Sequence, residues 1–234
     1  MFKLILVFVL VQLALLARYL IKGEFEPFSY ASTYLFLIAA IAIYFLSKRF
    51  AKKEQDYTPQ NIDSWSFLNR QHLFKIEKPL FKGDEKRGSI QRYYVKKWHY
   101  FVADFFGDVY FLALKIRIDN DEYDIKPLEG KWLKNDSYWY IYKNGEQIGT
   151  ARTVVDMKNI AKLKEVIELH IGDRVYSTAA STVTSKITVF DNNNQVGELK
   201  RNDFIRNVFV IHVQDDTPEK LLAPLLHTFY FKNN

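Results

Sequence analysis

In this chain of 234 residues, the side chains that most often act as nucleophiles, bases or metal ligands form no recognisable catalytic motif. There is no cysteine, which excludes disulfides, thiolate nucleophiles and cysteine-ligated metals. No two of the five histidines have the helical spacing of a zinc site. We therefore predict structural roles for them, in a non-enzymatic protein without a metal or other cofactor. The histidines are His72, His99, His170, His212 and His227.

An acidic run, Asp119–Asp124, is the nearest approach to a calcium-binding loop. An EF-hand loop needs oxygen-bearing side chains at its first, third and fifth positions and a glycine at the sixth. Counted from Asp119, the fifth position is Tyr123 and the sixth is Asp124, so the pattern fails. We interpret the run as an acidic hairpin turn.

Bases and aromatic residues are mixed in the run Arg92–Tyr100, as they are in proteins that bind single-stranded nucleic acid. The outer face of a β-barrel has the same composition, and the membrane tether described below disfavours nucleic acid. Residues 70–97 hold nine Lys or Arg against three Asp or Glu, a balance that attracts anionic lipid. A solvated face without a specific partner is the alternative. The predicted lipid-contacting residues are Lys82, Lys86, Arg87, Arg92, Lys96 and Lys97.

Two apolar runs near the N-terminus, at about residues 4–21 and 28–46, predict a transmembrane helical hairpin over residues 1–53. The second run carries no charge, and as a helix its length roughly matches a hydrocarbon core of ~30 Å. A cleaved signal peptide is the alternative for the first run, and the sequence leaves that choice open.

The charges beside the second run predict its orientation. Four cations follow the run, whereas the short loop before it has two Glu and one Lys. The positive-inside rule then places the loop outside the cell and the C-terminal domain in the cytosol, in a multi-pass protein of the cell membrane. The membrane-flanking cations are Lys48, Arg49, Lys52 and Lys53.

After a predicted linker at residues 54–64, residues 65–234 contain many short runs rich in aromatic and β-branched residues, separated by turn residues. Strands of this size and spacing indicate an antiparallel sandwich or barrel. The predicted strands include Ser89–Lys96, Val109–Ile118, Tyr138–Tyr142, Gln147–Val155, Glu165–Ile171, Ile187–Phe190, Gln195–Lys200 and Val208–Val213.

Two segments of this region form a weak repeat, Tyr142–Gly149 and Phe190–Gly197. Each has an aromatic strand end, an Asn-containing turn, then Gln, Ile or Val, and Gly. Asn and Gly tolerate positive φ, so both segments suit tight hairpins. The final glycine predicts a bulge or a close backbone approach. Two ordinary hairpins that happen to look alike are the alternative.

The C-terminal run Leu221–Phe231 predicts a buried helix. Thr217, Pro218 and Glu219 form a helix start, and only His227 and Thr228 are polar in the run that follows. A helix that is apolar on every side needs an enclosing structure, which a barrel provides. Pro224 is expected to kink or shorten the helix.

Together these features resemble the tubby C-terminal-like superfamily, which includes the LURP-one-related proteins and the phospholipid scramblases, and they look most similar to small bacterial membrane-anchored members. The resemblance covers roughly residues 65–234 and is carried by Tyr142–Gly149, Phe190–Gly197 and Leu221–Phe231. It implies a mainly β fold, with a closed antiparallel β-barrel around a hydrophobic C-terminal helix. Pro224 and the N-terminal hairpin depart from the better-known members.

From the sequence we expect a membrane-anchored protein whose cytosolic barrel binds anionic phospholipid headgroups or a protein partner. A lipid scrambling or transfer protein is one alternative, implied by the resemblance to the scramblases, and a structural interaction subunit of a membrane complex is another. The identity of the lipid or partner, the oligomeric state and the biological process stay open.

Overall fold

The computed structural model describes residues 2–106, 111–128, 137–154, 164–181, 186–203 and 207–231. Within these residues twelve antiparallel strands close into a barrel in which β12 pairs with β1. The helices are α1 (Phe2–Lys22), α2 (Pro27–Gln55), α3 (His99–Phe106) and α4 (Glu219–Phe231). The strands are β1 (Trp65–Leu68), β2 (Glu77–Lys82), β3 (Glu85–Tyr93), β4 (Ala113–Ile118), β5 (Asp121–Pro127), β6 (Tyr138–Lys143), β7 (Glu146–Thr153), β8 (Lys164–Ile171), β9 (Arg174–Ser181), β10 (Ile187–Asp191), β11 (Asn194–Asp203) and β12 (Val208–Val213).

Helices α1 and α2 form the predicted hairpin, and both are long and apolar enough to cross a membrane. Gln12 donates a hydrogen bond of 2.6 Å to Thr33 across the pair, and Arg18 donates one of 3.2 Å to Glu26. Helix α2 continues nine residues past the predicted apolar run, to Gln55. Residues 54 and 55 of the predicted linker are therefore helical, because Lys, Glu and Gln after Ala51 all favour helix.

Helix α4 fills the barrel, as the sequence predicts. Leu221, Leu222, Leu225 and Leu226 are fully buried against the inward residues of the strands. The helix is not shortened at Pro224 but continues to Phe231. Proline removes one backbone hydrogen bond, and packing on every side of the helix outweighs that loss.

The two repeated segments are bulged hairpins of the same register. β6–β7 and β10–β11 each have a two-residue turn and one extra residue on the second strand. A Cβ atom on Gly149 would lie 2.0 Å from the carbonyl oxygen of His170, and one on Gly197 would lie 2.2 Å from that of His212. The predicted bulge and the predicted close approach are therefore both confirmed.

A third copy of this hairpin, Phe81–Gly88, joins β2 to β3 and has the same bulge. A Cβ atom on Gly88 would lie 2.1 Å from the carbonyl oxygen of Arg117. The sequence analysis missed this copy because its turn is Gly-Asp and Arg87 stands where the others have Ile or Val. The barrel thus consists of three successive four-stranded units, each with a bulged hairpin at its second and third strands.

Every predicted strand overlaps an observed one, although residues 109, 110 and 155 of the predicted runs lie outside the described residues. Strands β1, β2, β5 and β9 were not predicted. The acidic run was only partly interpreted correctly, since Asp119 and Asn120 form the turn and Asp121 already begins β5. β2 contains Pro79 and β9 is rich in Ser, Thr and Ala, which weakens both as strand signals.

The two ends of the barrel differ. Five two-residue turns lie at one end, which we call the turn end, at residues 83–84, 119–120, 144–145, 172–173 and 192–193. Helix α2 joins the barrel at the opposite end, which we call the helix-joined end. The connection between β1 and β2, residues 69–76, also lies there.

Candidate membrane interface

Helix α2 is fixed to the barrel by a buried carboxylate. Glu54, in the last turn of α2, has no exposed surface, and its Oε2 lies 3.2 Å from Nζ of Lys78 on β2. Its Oε1 accepts the backbone N–H of Gln71 at 2.8 Å and that of Arg70. The side-chain amide of Gln71 donates to Oε2 at 3.1 Å. A buried carboxylate with several donors is well satisfied, so α2 and the barrel are held as one unit.

Lys78 connects this junction to the interior of the barrel. Its ammonium group also donates to Asn69 and to the carbonyl oxygen of Gln71, and it lies 5.4 Å from the centre of the Phe229 ring on α4. Burial lowers the pKa of Lys78 to about 8, although the negative charge of Glu54 acts in the opposite direction. The contacts therefore run without a break from α2 to the helix inside the barrel.

Beside this junction, four large apolar side chains face outward on and before α3. Trp98 is 52% exposed and Phe101 is 60% exposed, and Val95 and Tyr100 are also exposed, whereas His99 and Ala103 on the other side of the helix are buried. Lys96 and Lys97 are exposed next to them. We call Val95, Trp98, Tyr100 and Phe101 the aromatic face.

Ring contacts place the aromatic face beside the N-terminal hairpin. The ring of Phe101 lies 5.5 Å from that of Phe2, at the start of α1. The ring of Tyr44, near the end of the apolar run of α2, lies 5.4 Å from that of Phe74 in the β1–β2 connection. The aromatic face therefore lies at the level where α1 begins and the apolar part of α2 ends.

The four cations that follow the apolar run of α2 are exposed on its last turns. Among the residues that the structure describes, no carboxylate forms an ion pair with any of them. Their charges are therefore available to a partner at the helix-joined end. These cations are Lys48, Arg49, Lys52 and Lys53.

The structure divides the six predicted lipid-contacting residues between the two ends of the barrel. Lys82, Lys86 and Arg87 lie at the turn end. Lys82 is four residues beyond Lys78 along β2, which is about 13 Å at ~3.3 Å per residue. Lys96 and Lys97 lie at the helix-joined end. The six residues therefore do not all lie at one end of the barrel, and their contact with lipid stays a prediction.

Three of the six are also unsuited to headgroup contact because of their own surroundings. Arg92 is only 4% exposed, because strand alternation directs it inward. Arg87 donates two hydrogen bonds to Asp119, of 2.5 and 2.7 Å, and these hold the pKa of Asp119 below its usual value. Lys82 is paired with Asp216. Only Lys86, Lys96 and Lys97 of the predicted set are well exposed.

Sequence reasoning noted the basic and aromatic run Arg92–Tyr100, which holds three residues of the aromatic face, but compared it with a barrel strand and missed the outward face that these residues form with Phe101. A signal was present, since residues 98–106 contain two Trp or Tyr and three Phe without the alternation of a half-buried strand. Such a run beside the ends of two apolar helices is typical of a membrane interface.

One arrangement of side chains resembles a hydroxyl, imidazole and carboxylate triad. Nδ1 of His227 lies 2.9 Å from the hydroxyl of Thr178, and its Nε2 lies 3.4 Å from Oε2 of Glu165. His227 and Thr178 have no exposed surface, because they lie between α4 and the barrel wall. A hydroxyl without solvent access offers no place for a substrate. Among the described residues, no three metal-ligating side chains come together.

Comparison with known proteins agrees with the architecture. The sequence model of the family described as Tubby C-terminal like domain matches residues 74–233, more than half of the chain. The matched region extends from the β1–β2 connection through α4, and it confirms the resemblance inferred from the sequence. No curated protein and no solved structure matches the chain significantly.

Proposed function

Because the chain belongs to the Tubby C-terminal like family, we propose that it is a non-enzymatic, membrane-anchored protein whose cytosolic barrel docks on anionic phospholipid headgroups. The family assignment supports a barrel that binds lipid or protein. The proposal chooses lipid, and it assigns the contact to the helix-joined end rather than to the hairpin at residues 82–88.

The observation that carries the proposal is the aromatic face. Four large apolar side chains exposed within residues 95–101 are costly in water, and Trp and Tyr are the residues that collect at the boundary between headgroups and acyl chains. Two lysines, Lys96 and Lys97, adjoin the face on the chain. Aromatic rings that enter the interface, with lysines beside them for the lipid phosphates, are the composition of an interfacial segment.

Electrostatics favours the same end of the barrel. The unpaired cations on the last turns of α2 and the two lysines beside α3 contribute on the order of 1 kcal/mol each near an anionic leaflet. The hairpin keeps the domain beside the membrane, so even weak contacts are populated. At the turn end, the carboxylates that pair with Lys82 and Arg87 largely neutralise the positive charge of these side chains.

The contacts of α1 support a retained helix rather than a cleaved signal peptide. Gln12 and Thr33 are hydrogen-bonded within the apolar hairpin, and Arg18 pairs with Glu26 of the loop. Phe2 contacts Phe101 of the aromatic face. A mature chain without α1 would lose all three contacts, and a polar Gln12–Thr33 pair in an apolar environment has a value only when both partners are present.

A fluorescence experiment on the full chain in lipid nanodiscs tests the proposal. Since the chain has no cysteine, a single introduced cysteine carries an environment-sensitive fluorophore at one position. Val95→Cys reports on the aromatic face, and Asn120→Cys reports on the turn end as the matched control. Phosphatidylglycerol nanodiscs are compared with phosphatidylcholine nanodiscs at low and physiological salt.

We expect a blue shift of the probe at Val95 in anionic nanodiscs, a smaller one in neutral nanodiscs, and no shift at Asn120. Lys96→Gln with Lys97→Gln should reduce the shift, whereas Lys86→Gln, an exposed lysine at the turn end, should not. The reference sample is the protein without lipid, in which amphipol replaces the detergent. A Val95 probe with the same spectrum in this sample and in nanodiscs would contradict lipid docking. The aromatic face would then be assigned to a protein partner.

A further inference from the structure

A cavity of about 340 Å³ lies at the junction between α2 and the barrel. It is formed by the end of α2, the connection to β1, and the neighbouring ends of β1, β11 and β12. Its polar lining includes Lys53, Tyr57, Arg70 and Asn202, and its apolar lining includes Leu68 and Val208.

The charge of the cavity lining is positive. Two cations and no carboxylate are among its nine lining residues. Glu54, which follows Lys53 in the chain, is turned into the junction and is occupied by Lys78, Gln71 and the backbone, and Asp56 is not among the lining residues. An anion that enters the cavity therefore meets no opposing carboxylate from the lining.

The cations and donors are held by their neighbours. The guanidinium of Arg70 lies 4.6 Å from the centre of the Phe50 ring of α2, a stacking that orients it and leaves the N–H groups in its plane able to bind an oxyanion. The Tyr57 hydroxyl donates to Ser66 at 3.2 Å, and burial raises the pKa of Tyr57, so it stays protonated. Arg70 and Tyr57 are thus set in place before a ligand arrives.

The distance between the cavity and the apolar run of α2 indicates which anion the cavity would meet at the membrane. Lys53 follows Leu46, the last residue of the uninterrupted apolar run of α2, by seven residues, which is about 10 Å along a helix. The headgroup layer extends roughly 5–8 Å beyond the hydrocarbon core, and a lysine stem can reach back into it. The guanidinium of Arg70 stacks on Phe50, which is four residues and about 6 Å beyond Leu46, so it lies at the level of the lipid phosphates. Leu68 and Val208 offer apolar surface for the glycerol side of a headgroup.

From this geometry we propose that the junction cavity binds the phosphate of a membrane phospholipid headgroup, with Lys53 and Arg70 as the two binding cations. The site deepens the docking function proposed above and rests on it. The aromatic face would hold the domain against the bilayer, and the cavity would select a lipid whose phosphate is accessible from the side.

The test measures binding by ³¹P NMR and titration calorimetry, with the full-length protein in uncharged detergent. The probes are dihexanoyl phosphatidic acid, dihexanoyl phosphatidylcholine and inorganic phosphate. We expect phosphatidic acid to bind, and Lys53→Gln and Arg70→Gln each to weaken this binding about tenfold. Lys86→Gln, which removes the same charge from an exposed lysine at the turn end, should leave the binding unchanged.

Arg70→Gln could disturb the junction between α2 and the barrel, so a further variant outside that junction keeps the test decisive. Asn202 is exposed on the cavity rim, so Asn202→Asp places a carboxylate there and should weaken phosphatidic acid binding by repulsion. Gln147→Glu, which adds the same charge at the turn end, should not.

Equal binding to wild type and to the Lys53, Arg70 and Asn202 variants would overturn the cavity site. Inorganic phosphate that binds as tightly as phosphatidic acid would overturn the assignment to a lipid and leave a site for free phosphate. Docking is measured separately by the probe at Val95. If phosphatidic acid does not bind at the cavity but the probe at Val95 still shifts, only this inference is refuted. If phosphatidic acid binds at the cavity but the probe does not shift, the docking function is refuted.

Discussion

The two ends of the barrel are built from the same strands but differ in how they treat charge and apolar surface. At the turn end, Arg87 pairs with Asp119, Lys82 with Asp216, and Lys143 with Asp121 and Glu219. At the helix-joined end, the cations of α2 are exposed without a carboxylate among the described residues, and large aromatic side chains face outward.

This difference indicates which end is adapted to water alone. Short turns and paired charges need no further partner, since each group is already satisfied by the chain. Exposed rings beside cations without a carboxylate partner are suited to a surface that offers both apolar and anionic groups. An anionic bilayer is such a surface, and the two helices that can cross it adjoin this end of the barrel.

The largest expected effect is at the junction of the helix-joined end. Glu54→Ala should lower the free energy of unfolding of the barrel by about 3–5 kcal/mol, because it leaves the Lys78 ammonium buried without its partner. Denaturant titration in detergent, followed by tryptophan fluorescence, measures this loss.

The control for that prediction replaces both members of the pair. Glu54→Leu with Lys78→Met should recover most of the lost stability, because no uncompensated charge remains in the junction. A double variant as unstable as Glu54→Ala would show that the shape of the junction, and not the buried charge, sets its stability.

The second prediction concerns docking without a change in folding. Trp98→Ser with Phe101→Ser should abolish the blue shift of the probe at Val95, because each ring that leaves the interface forfeits about 1.5–3 kcal/mol of apolar transfer. Trp98→Phe with Phe101→Leu should retain the shift. An unchanged shift in the serine variant, with the barrel still folded, would remove the functional difference between the two ends.

The third prediction is a pH dependence of stability at the junction. The pKa of Lys78 is about 8 in the folded protein and 10.5 in the unfolded chain, so the unfolded state binds more protons between these values. Stability should therefore rise as the pH increases from about 8 toward 10. The difference between wild type and the Glu54→Leu, Lys78→Met variant, measured at pH 7.5 and 9.5, isolates this contribution from the tyrosines. A difference that is constant over this range would show that Lys78 has an ordinary pKa.

The smallest effect is expected at the turn end. Arg87→Ala should leave the midpoint of denaturant unfolding nearly unchanged, because the pair with Asp119 is exposed and screened by salt. It should leave the probe at Val95 unshifted relative to wild type. A loss of lipid docking in this variant would restore Arg87 to the contact surface and break the comparison between the ends.

Much of the fold could be predicted because it follows from local patterns. The apolar runs predicted α1 and α2, the turn residues and alternating runs predicted most strands, and the apolar C-terminal run predicted the helix inside the barrel. The repeat of Tyr142–Gly149 at Phe190–Gly197 correctly indicated the bulges. The copy at Phe81–Gly88 escaped detection because its turn lacks Asn and because Arg87 stands where the other copies have Ile or Val.

The candidate site could be predicted only in part. Lys96, Lys97 and the cations of α2 were identified from their position along the chain. Lys82 and Arg87 were assigned to the same surface because they are near in sequence, yet they lie at the other end of β2 and β3. Their partners, Asp216 and Asp119, are 134 and 32 residues away, and no sequence pattern connects them.

The sequence by itself determined the classes of structure, since helix and strand periodicity, turn chemistry and membrane-spanning length are properties of neighbouring residues. The tertiary structure alone decided which cations share a face, which are neutralised, and that Glu54, Lys78 and Gln71 meet in one buried junction. Burial and pairing depend on contacts between residues far apart in the chain. Those contacts exist only once the barrel has closed and α2 has been fixed to one of its ends.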